Sequence, residues 1–366
     1  MMLRSKPLVS LIVPTLNRGH HVLRAIQSCL DADAEAAGVD VEVIVSDAGS
    51  TDGSWEAIEE KYGSAPRVIL LQSPPGSGPM ENWLNAAQKI NGDYVTFVWS
   101  DDYIAPHFLL SLVPPLTAGA TVAIGRGVER EIDDNAPLLP SEESRQVPLV
   151  EYVSGYLLRG SIDDFRRPFS PTCSLFTRTV FDKWMRVARE WAHASPLRQE
   201  VMWRRAIGPD QLLYLIAIAE GGGPVWMSSS CTAQFSRHPG AITHTSSRLP
   251  FESGYWVSAL WFITDERARE LLGTGDFLRF AAGLFWYGIV LMVLARLLGA
   301  KSGVANIQCY GQELGLIRRA VSKHRLSAHF WPVLALEGAR TPIRLARYLL
   351  LKGIRKTPSE KALAST

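Results

Sequence analysis

Residues 8–13, LVSLIV, are a short run of positions with almost no polar face, closed by Pro14. A strand covered on both sides by helices reads this way, as in a parallel sheet. A helix is predicted over 19–37, where Val22, Leu23, Ile26, Cys29 and Leu30 recur at helical spacing. The next apolar run, in VEVIVSDAGS, predicts a second strand ending at Ser46-Asp47, with Gly49 placed for a tight turn. Ser50, Thr51, Asp52 and Ser54 each offer a cap for a helix that Gly63 closes. RVILLQS is a third strand, 80–91 a helix and DYVTFVWS a fourth strand. Strands alternating with helices predict an α/β fold, a mostly parallel sheet flanked by helices.

The regularity weakens after residue 120. ATVAIGRGVEREI predicts a further strand, 133–148 a loop rich in Pro and acid, and 151–207 mixed helices rich in Trp and Arg. An apolar helix runs over 210–220 from Asp210, then strand and loop to about residue 244, and from 254 the pattern is helical. This divides the chain into one domain over 1–250, with halves at about 1–120 and 121–250, and a helical region over 251–366.

Composition changes this picture little. The 366 residues are 47% hydrophobic and 20% charged, an ordinary globular balance. A formal net charge of +2 gives no electrostatic case for nucleic acid. Cys29, Cys173, Cys231 and Cys309 are widely spaced, with no C-x-x-C, so neither a zinc site nor a disulfide framework is expected. The start, MMLRSKPLVSLIVPTLNR, has only six apolar residues in a row, too few for a signal peptide, and a cytoplasmic setting follows.

Candidate chemistry lies where predicted strands end, which is where ligands collect in α/β sheets. Asp47 is either a turn residue before Gly49 or an acceptor for a base or ribose. The fourth strand runs straight into Ser100-Asp101-Asp102. Asp102 could be a helix cap ahead of Pro106, but paired carboxylates at a sheet edge also suit Mg2+ or Mn2+ held together with diphosphate oxygens. No G-x-x-x-x-G-K-[ST] phosphate loop is present.

VSLIVPTLNR, EVIVSDAGSTDGS and ENWLNAAQKINGDYVTFVWSDD follow one another at spacings similar to those of family 2 glycosyltransferases, which have the GT-A fold. The likeness covers roughly residues 7–110. It implies that Asp47 contacts the nucleotide base, that Pro14, Thr15 and Asn17 lie beside the nucleotide, and that Asn82 also serves substrate binding. It further implies that Asp101 and Asp102 hold the metal, with Asp101 at the diphosphate. Two positions depart from the family pattern: Trp99 stands where a first motif Asp is frequent, and Ala48 follows Asp47. In the second half, GPDQLLYLIAIAEGGGPVWM and the later QFSRHPGAITH also resemble the family. They make Asp210 the candidate general base, with a helix cap as its other reading, and set His238 near the diphosphate or metal, with an ordinary loop residue as its other reading.

The resemblance implies an inverting, metal-dependent transfer from a nucleotide-diphosphate sugar to a saccharide or lipid-linked acceptor, in cell-surface polysaccharide or glycolipid synthesis. Two other readings stay open. A nucleotidyltransferase would need a Gly-rich basic loop, and PTLNRGHH offers only Arg18 and one Gly. A non-catalytic binding protein of the same fold would account for Trp99. FAAGLFWYGIVLMVLA, uncharged over 280–295, is short of a comfortable membrane span of about 17–25 residues. A buried helix, a dimer contact and a membrane-facing helix remain open for it, as does a span. RTPIRLARYLLLKGIRK, 340–356, has the composition of a basic interfacial helix, and equally of a solvated helix packing Leu345, Leu349 and Leu350 on the main domain. Together, 280–298 and 340–356 would place the protein peripherally at the inner face of the cell membrane.

Overall fold

The computed structural model describes residues 6–74, 76–141, 143–148, 151–152, 170–238, 248–298 and 307–339. Its sheet begins with β1 (Leu8–Thr15), flanked in parallel by β2 (Asp40–Asp47) and β4 (Tyr94–Phe97). β3 (Val68–Gln72) adds to β2. All eight residues of β1 are buried. Alternate residues explain why: Val9, Leu11 and Val13 face one core with Val43 and Val45, while Ile12 faces the other with Ile44, Val95 and Phe97. Helices α1 (His21–Leu30), α2 (Ser54–Tyr62) and α4 (Phe108–Thr117) cover the first face, and α3 (Pro79–Ala87) lies on the second.

Beyond β4 the sheet is mixed. Its order is β3-β2-β1-β4-β8-β6-β9-β5, with β7 (Ser144–Val147) paired to β9. β8 (Ser174–Thr177) runs antiparallel between β4 and β6 (Val122–Glu131). β6 and β9 (Val225–Arg237) are parallel, and the two-residue β5 (Tyr103–Ile104) closes the edge. Several expectations are corrected here. The helix expected over 19–37 stops at Leu30, followed by turns up to β2. The loop at 133–148 contains β7, and the mixed helices of 151–207 contain β8. Both strands are only four residues long, too short to show a period.

Helix α5 (Arg178–His193) returns along α3, and a π-helical segment, Gln199–Arg204, leads into α6 (Pro209–Gly221). The C-terminal helices are α7 (Arg248–Thr264), α8 (Glu266–Leu298), α9 (Ile307–Lys323) and a further helix over 327–339. α8 bends at Gly273, where φ is +71°. The apolar stretch at 280–295 divides. Phe280, Ala281, Ala282, Leu284 and Leu291 are buried, whereas Val293, Leu294 and Leu297 at the end of α8 are exposed. α8 is long and apolar enough to cross a membrane by length and composition. Its first half is a core helix all the same, with the Trp256 indole donating to Leu284 O at 3.0 Å. The basic stretch 340–356 lies outside the described residues.

One buried ion pair ties these helices to the sheet domain. Arg198 donates from Nη2 and Nε to Glu313 Oε2 at 2.6 and 3.0 Å, and the two side chains are 5% and 1% exposed. Ser195 Oγ also donates to Glu313, and the guanidinium lies 3.5 Å above the Trp191 ring. Removing one partner leaves the other as an uncompensated buried charge, at a cost of about 3–5 kcal/mol. Glu313→Ala is therefore expected to lower the urea midpoint by that amount of stability. An unchanged midpoint would show the pair to be dispensable.

Candidate active site

The parallel register brings the carboxyl ends of the strands into line. Thr15 stands opposite Asp47, and Asp47 opposite Gln72. Asp47 is fully buried and committed to its own turn. Its Oδ2 accepts from Gly49 N at 3.0 Å and Ser50 N at 2.9 Å, while Oδ1 accepts from Ser50 Oγ. Gly49 has φ +91°, which the turn requires. The local hydrogen bonding expected of a turn Asp is thus present, and any contact to a base would have to be made from within it. Asn17 bridges the first two strand ends, its Oδ1 accepting from Thr51 N and its own N–H donating to Ser50 Oγ, both at 2.8 Å.

Asn82 lies beneath this edge, 3% exposed. Its Oδ1 accepts from Ser46 Oγ and Ser73 Oγ at 2.7 and 2.8 Å, and its Nδ2 donates to Ser46 O at 2.9 Å. The structure therefore places Asn82 as a strut between strand ends rather than open to a ligand. Pro14 is buried inside β1. Thr15 is different: its Oγ1 is buried without a partner among the described residues.

The two adjacent carboxylates diverge. Asp101 Oδ2 lies 2.9 Å from His238 Nε2 and 3.7 Å from Arg18 Nε. Asp102 points inward, where its Oδ1 accepts from Ser236 N at 2.9 Å and pins the end of β9. Burial, then the neighbouring Asp101 charge, pushes the Asp102 carboxyl well above the usual carboxylate range. Among the described residues Arg18 Nε, 3.7 Å from Asp101, has no hydrogen-bond partner, nor has Ser236 Oγ. The His21 ring stacks 6.5 Å from that of His238. Burial and the neighbouring imidazoles lower the His21 pKa.

This donor set bears on the expected metal. Among the described residues no group of three or more His, Cys, Asp or Glu side chains could hold an ion. A Mg2+ or Mn2+ that works on diphosphates needs only one or two protein ligands, the phosphates and water supplying the rest. Asp101 with His238 fits that smaller requirement, and Arg18 beside them suits a phosphate oxygen.

Trp99 has a structural reason. Its indole donates to Ser170 Oγ at 2.8 Å, and its ring stacks on Phe97 (5.4 Å, 9°) and meets Trp83 at 4.6 Å. Phe97 in turn meets Trp184 at 5.4 Å, and Trp184 Nε1 donates to Pro209 O at 2.8 Å. An aromatic column thus connects the end of β4, which carries Asp101, to the start of α6, which carries Asp210. Gly208, φ +102°, lets the start of α6 lie against α7: a Cβ there would lie 2.4 Å from Gly254 O.

Asp210 accepts from the Tyr255 hydroxyl at Oδ2, 3.1 Å, while Oδ1 is buried with no partner among the described residues. Burial raises its pKa. An unpartnered buried carboxylate oxygen costs stability unless a ligand supplies the missing donor. Arg18 stands next to Asn17 in the sequence and could have been named with it; Tyr255, Trp184 and Ser236 carry no local signal of their roles.

The family model for glycosyl transferase family 2 matches residues 10–185. An uncharacterized glycosyltransferase of Haemophilus influenzae is 37% identical over 99 residues, 27% of this chain and 38% of that protein. A chondroitin synthase of Pasteurella multocida is 31% identical over 134 residues, 36% of this chain and 13% of that protein. The chain thus matches well under half the length of either relative. Among solved structures, Staphylococcus aureus TarS 1–349 in complex with UDP-GlcNAc superposes with a TM-score of 0.51 at 16% identity, over 87% of this chain and 91% of that one. The mannosyltransferase PcManGT of Pyrobaculum calidifontis, in complex with GDP-Man and Mn2+, gives 0.50 at 17%, over 91% and 87%. These last two likenesses concern the fold. Residues 10–185 are thus similar to glycosyltransferase family 2, and the sheet has the GT-A fold.

Proposed function

We propose that the protein transfers a sugar from a nucleotide-diphosphate donor to an acceptor hydroxyl, with inversion at the anomeric carbon. The product would be a cell-surface polysaccharide or glycolipid. The observation that carries this is the pairing of two stations across the aromatic column. One is Asp101 with Arg18 and His238 at the strand ends; the other is Asp210 with an oxygen that lacks a donor among the described residues. In this reading Arg18 and Thr15 receive phosphate and sugar oxygens. Asp210 Oδ1 takes the proton of the attacking hydroxyl. The raised pKa makes Asp210 a stronger base than an exposed Asp, provided it is ionised when the acceptor arrives. Asp101 and His238 are the residues that would hold Mg2+ or Mn2+, an ion that would neutralise charge developing on the diphosphate leaving group.

Calorimetric titration with UDP and GDP, with and without Mn2+, tests the reading. Diphosphate binding strengthened by Mn2+ supports it. A preference for nucleoside triphosphates would support a nucleotidyltransferase instead, and no binding would support a non-catalytic protein built on the same fold.

A cytoplasmic enzyme seated on the inner membrane face is part of this proposal. Val293, Leu294 and Leu297 are exposed at the end of α8, and Trp331 and Leu336 on the helix over 327–339. The 286 indole of α8 donates to Leu334 O at 2.7 Å, so the two helices are neighbours. Basic residues near such a surface contribute about 1 kcal/mol each toward anionic lipid. The chain is expected to sediment with phosphatidylglycerol vesicles and not with phosphatidylcholine vesicles. A Leu294→Glu, Leu297→Glu double variant should weaken that several-fold; retention equal to wild type would remove α8 from the contact.

A further inference from the structure

Beside the strand ends, in the helical layer, lies an open groove of about 530 Å³. That is within the range of about 300–1,000 Å³ typical of small-molecule sites. One wall is α3, which presents Glu81, Asn85 and, one turn further, Gln88 along a single face. The other wall is the end of α5, with Arg189 and His193, and the π-helical segment, with Trp203. The Trp203 and His193 rings meet at 4.2 Å, so each holds the other in place.

We propose that this groove binds an oligosaccharide: the part of an acceptor chain remote from the hydroxyl that receives the new sugar. The ligand class rests on the sugar-transfer reading above. The chemistry of the lining favours it. A carboxylate and two carboxamides each offer two polar atoms in one plane, suited to pairs of neighbouring hydroxyls. The indole beside them supplies an apolar surface with a polar edge, the combination that a pyranose ring needs. A lipid tail would need an apolar lining in place of these five polar side chains.

Position supports the same ligand. Asn85 Nδ2 donates to Ser73 Oγ at 3.2 Å, and Ser73 N donates to Asp47 O at 2.8 Å, so the groove opens onto the strand edge. On its far side, the segment carrying Trp203 runs directly into Gly208 and Asp210. π-helical turns often mark functional positions. A saccharide lying here would contact the chain that carries the proposed base without occupying either station.

The test is saturation-transfer NMR on the full chain with maltotetraose, cellotetraose, chitotetraose and a hyaluronan tetrasaccharide. The last is the uronate-bearing arm, where Arg189 would matter. At least one probe is expected to receive saturation from the wild-type protein, and excess UDP or GDP should not displace it. Trp203→Ala should weaken binding by about tenfold, the scale of a lost aromatic contact. An Asn85→Ala, Gln88→Ala variant should do the same at an unchanged urea midpoint. No binding by any probe, binding unchanged in both variants, or displacement by the nucleotides would overturn the proposal. The two readings fail separately. Saccharide bound through Trp203 in a protein that binds no nucleotide would sink the sugar-transfer reading and leave the groove. Nucleotide bound with no saccharide in the groove would do the reverse.

Discussion

Replacing Asp210 by Asn is expected to lower kcat for sugar transfer by about 10²–10⁴-fold, the range of a lost general base. Binding of UDP or GDP and the urea midpoint should stay near wild type. The substitution keeps the shape and leaves an acceptor for the Tyr255 hydroxyl at Oδ. What it removes is the charge and the basic oxygen that has no donor among the described residues. The pH profile follows from the direction of the shift. Because burial raises the Asp210 pKa, the acid limb of kcat/KM should fall above the usual Asp range, with activity lost as pH drops through it. The Tyr255 hydrogen bond favours the ionised form, so Tyr255→Phe should move that limb to higher pH. Near-normal turnover in Asp210→Asn would assign Asp210 to capping α6 and nothing more.

Asp101→Ala is expected to cost on the order of 10²–10³-fold in transfer, as for loss of a group that stabilises transition-state charge. It should also abolish the strengthening of UDP or GDP binding by Mn2+. Asp102→Asn is the informative contrast. Its Oδ1 can still accept from Ser236 N, and burial beside the Asp101 charge already disfavours the ionised carboxyl of Asp102. A mild effect there and a severe one at Asp101 would show that only the outward carboxylate works on the donor. Equal and severe losses would mean that both carboxylates serve the metal, against the divergence of their side chains.

Much of the first half could be read directly from the chain. β1, β2 and β4 are largely apolar and buried and β3 is a half-buried apolar edge strand, so each declared itself as a parallel strand, and the turn chemistry of Asp47 and Gly49 is local. β8 could not be read, because four residues set in a helical context have no period, and their place beside β4 depends on distant pairing. The site divides in the same way. Asp101, Asp210 and His238 could be nominated from strand ends, helix starts and family likeness. Asn82 could be nominated too, but its hydrogen bonds to the ends of β1, β2 and β3 needed the fold to appear. Trp99 was a departure in the sequence and becomes intelligible only with Trp83, Phe97 and Trp184 around it. The column these rings form takes the space beside β4 and connects Asp101 with the start of α6.

The central claim is sugar transfer at this pair of stations, and release of nucleoside diphosphate tests it most directly. The full chain should be incubated with a panel of UDP- and GDP-linked sugars and Mn2+, and the released diphosphate and the anomeric configuration of the sugar followed by NMR. The account predicts that at least one donor is cleaved with inversion, and that Asp101→Ala slows cleavage by on the order of 10²–10³-fold. Cleavage with retention, or equal cleavage by Asp101→Ala and wild type, would contradict it.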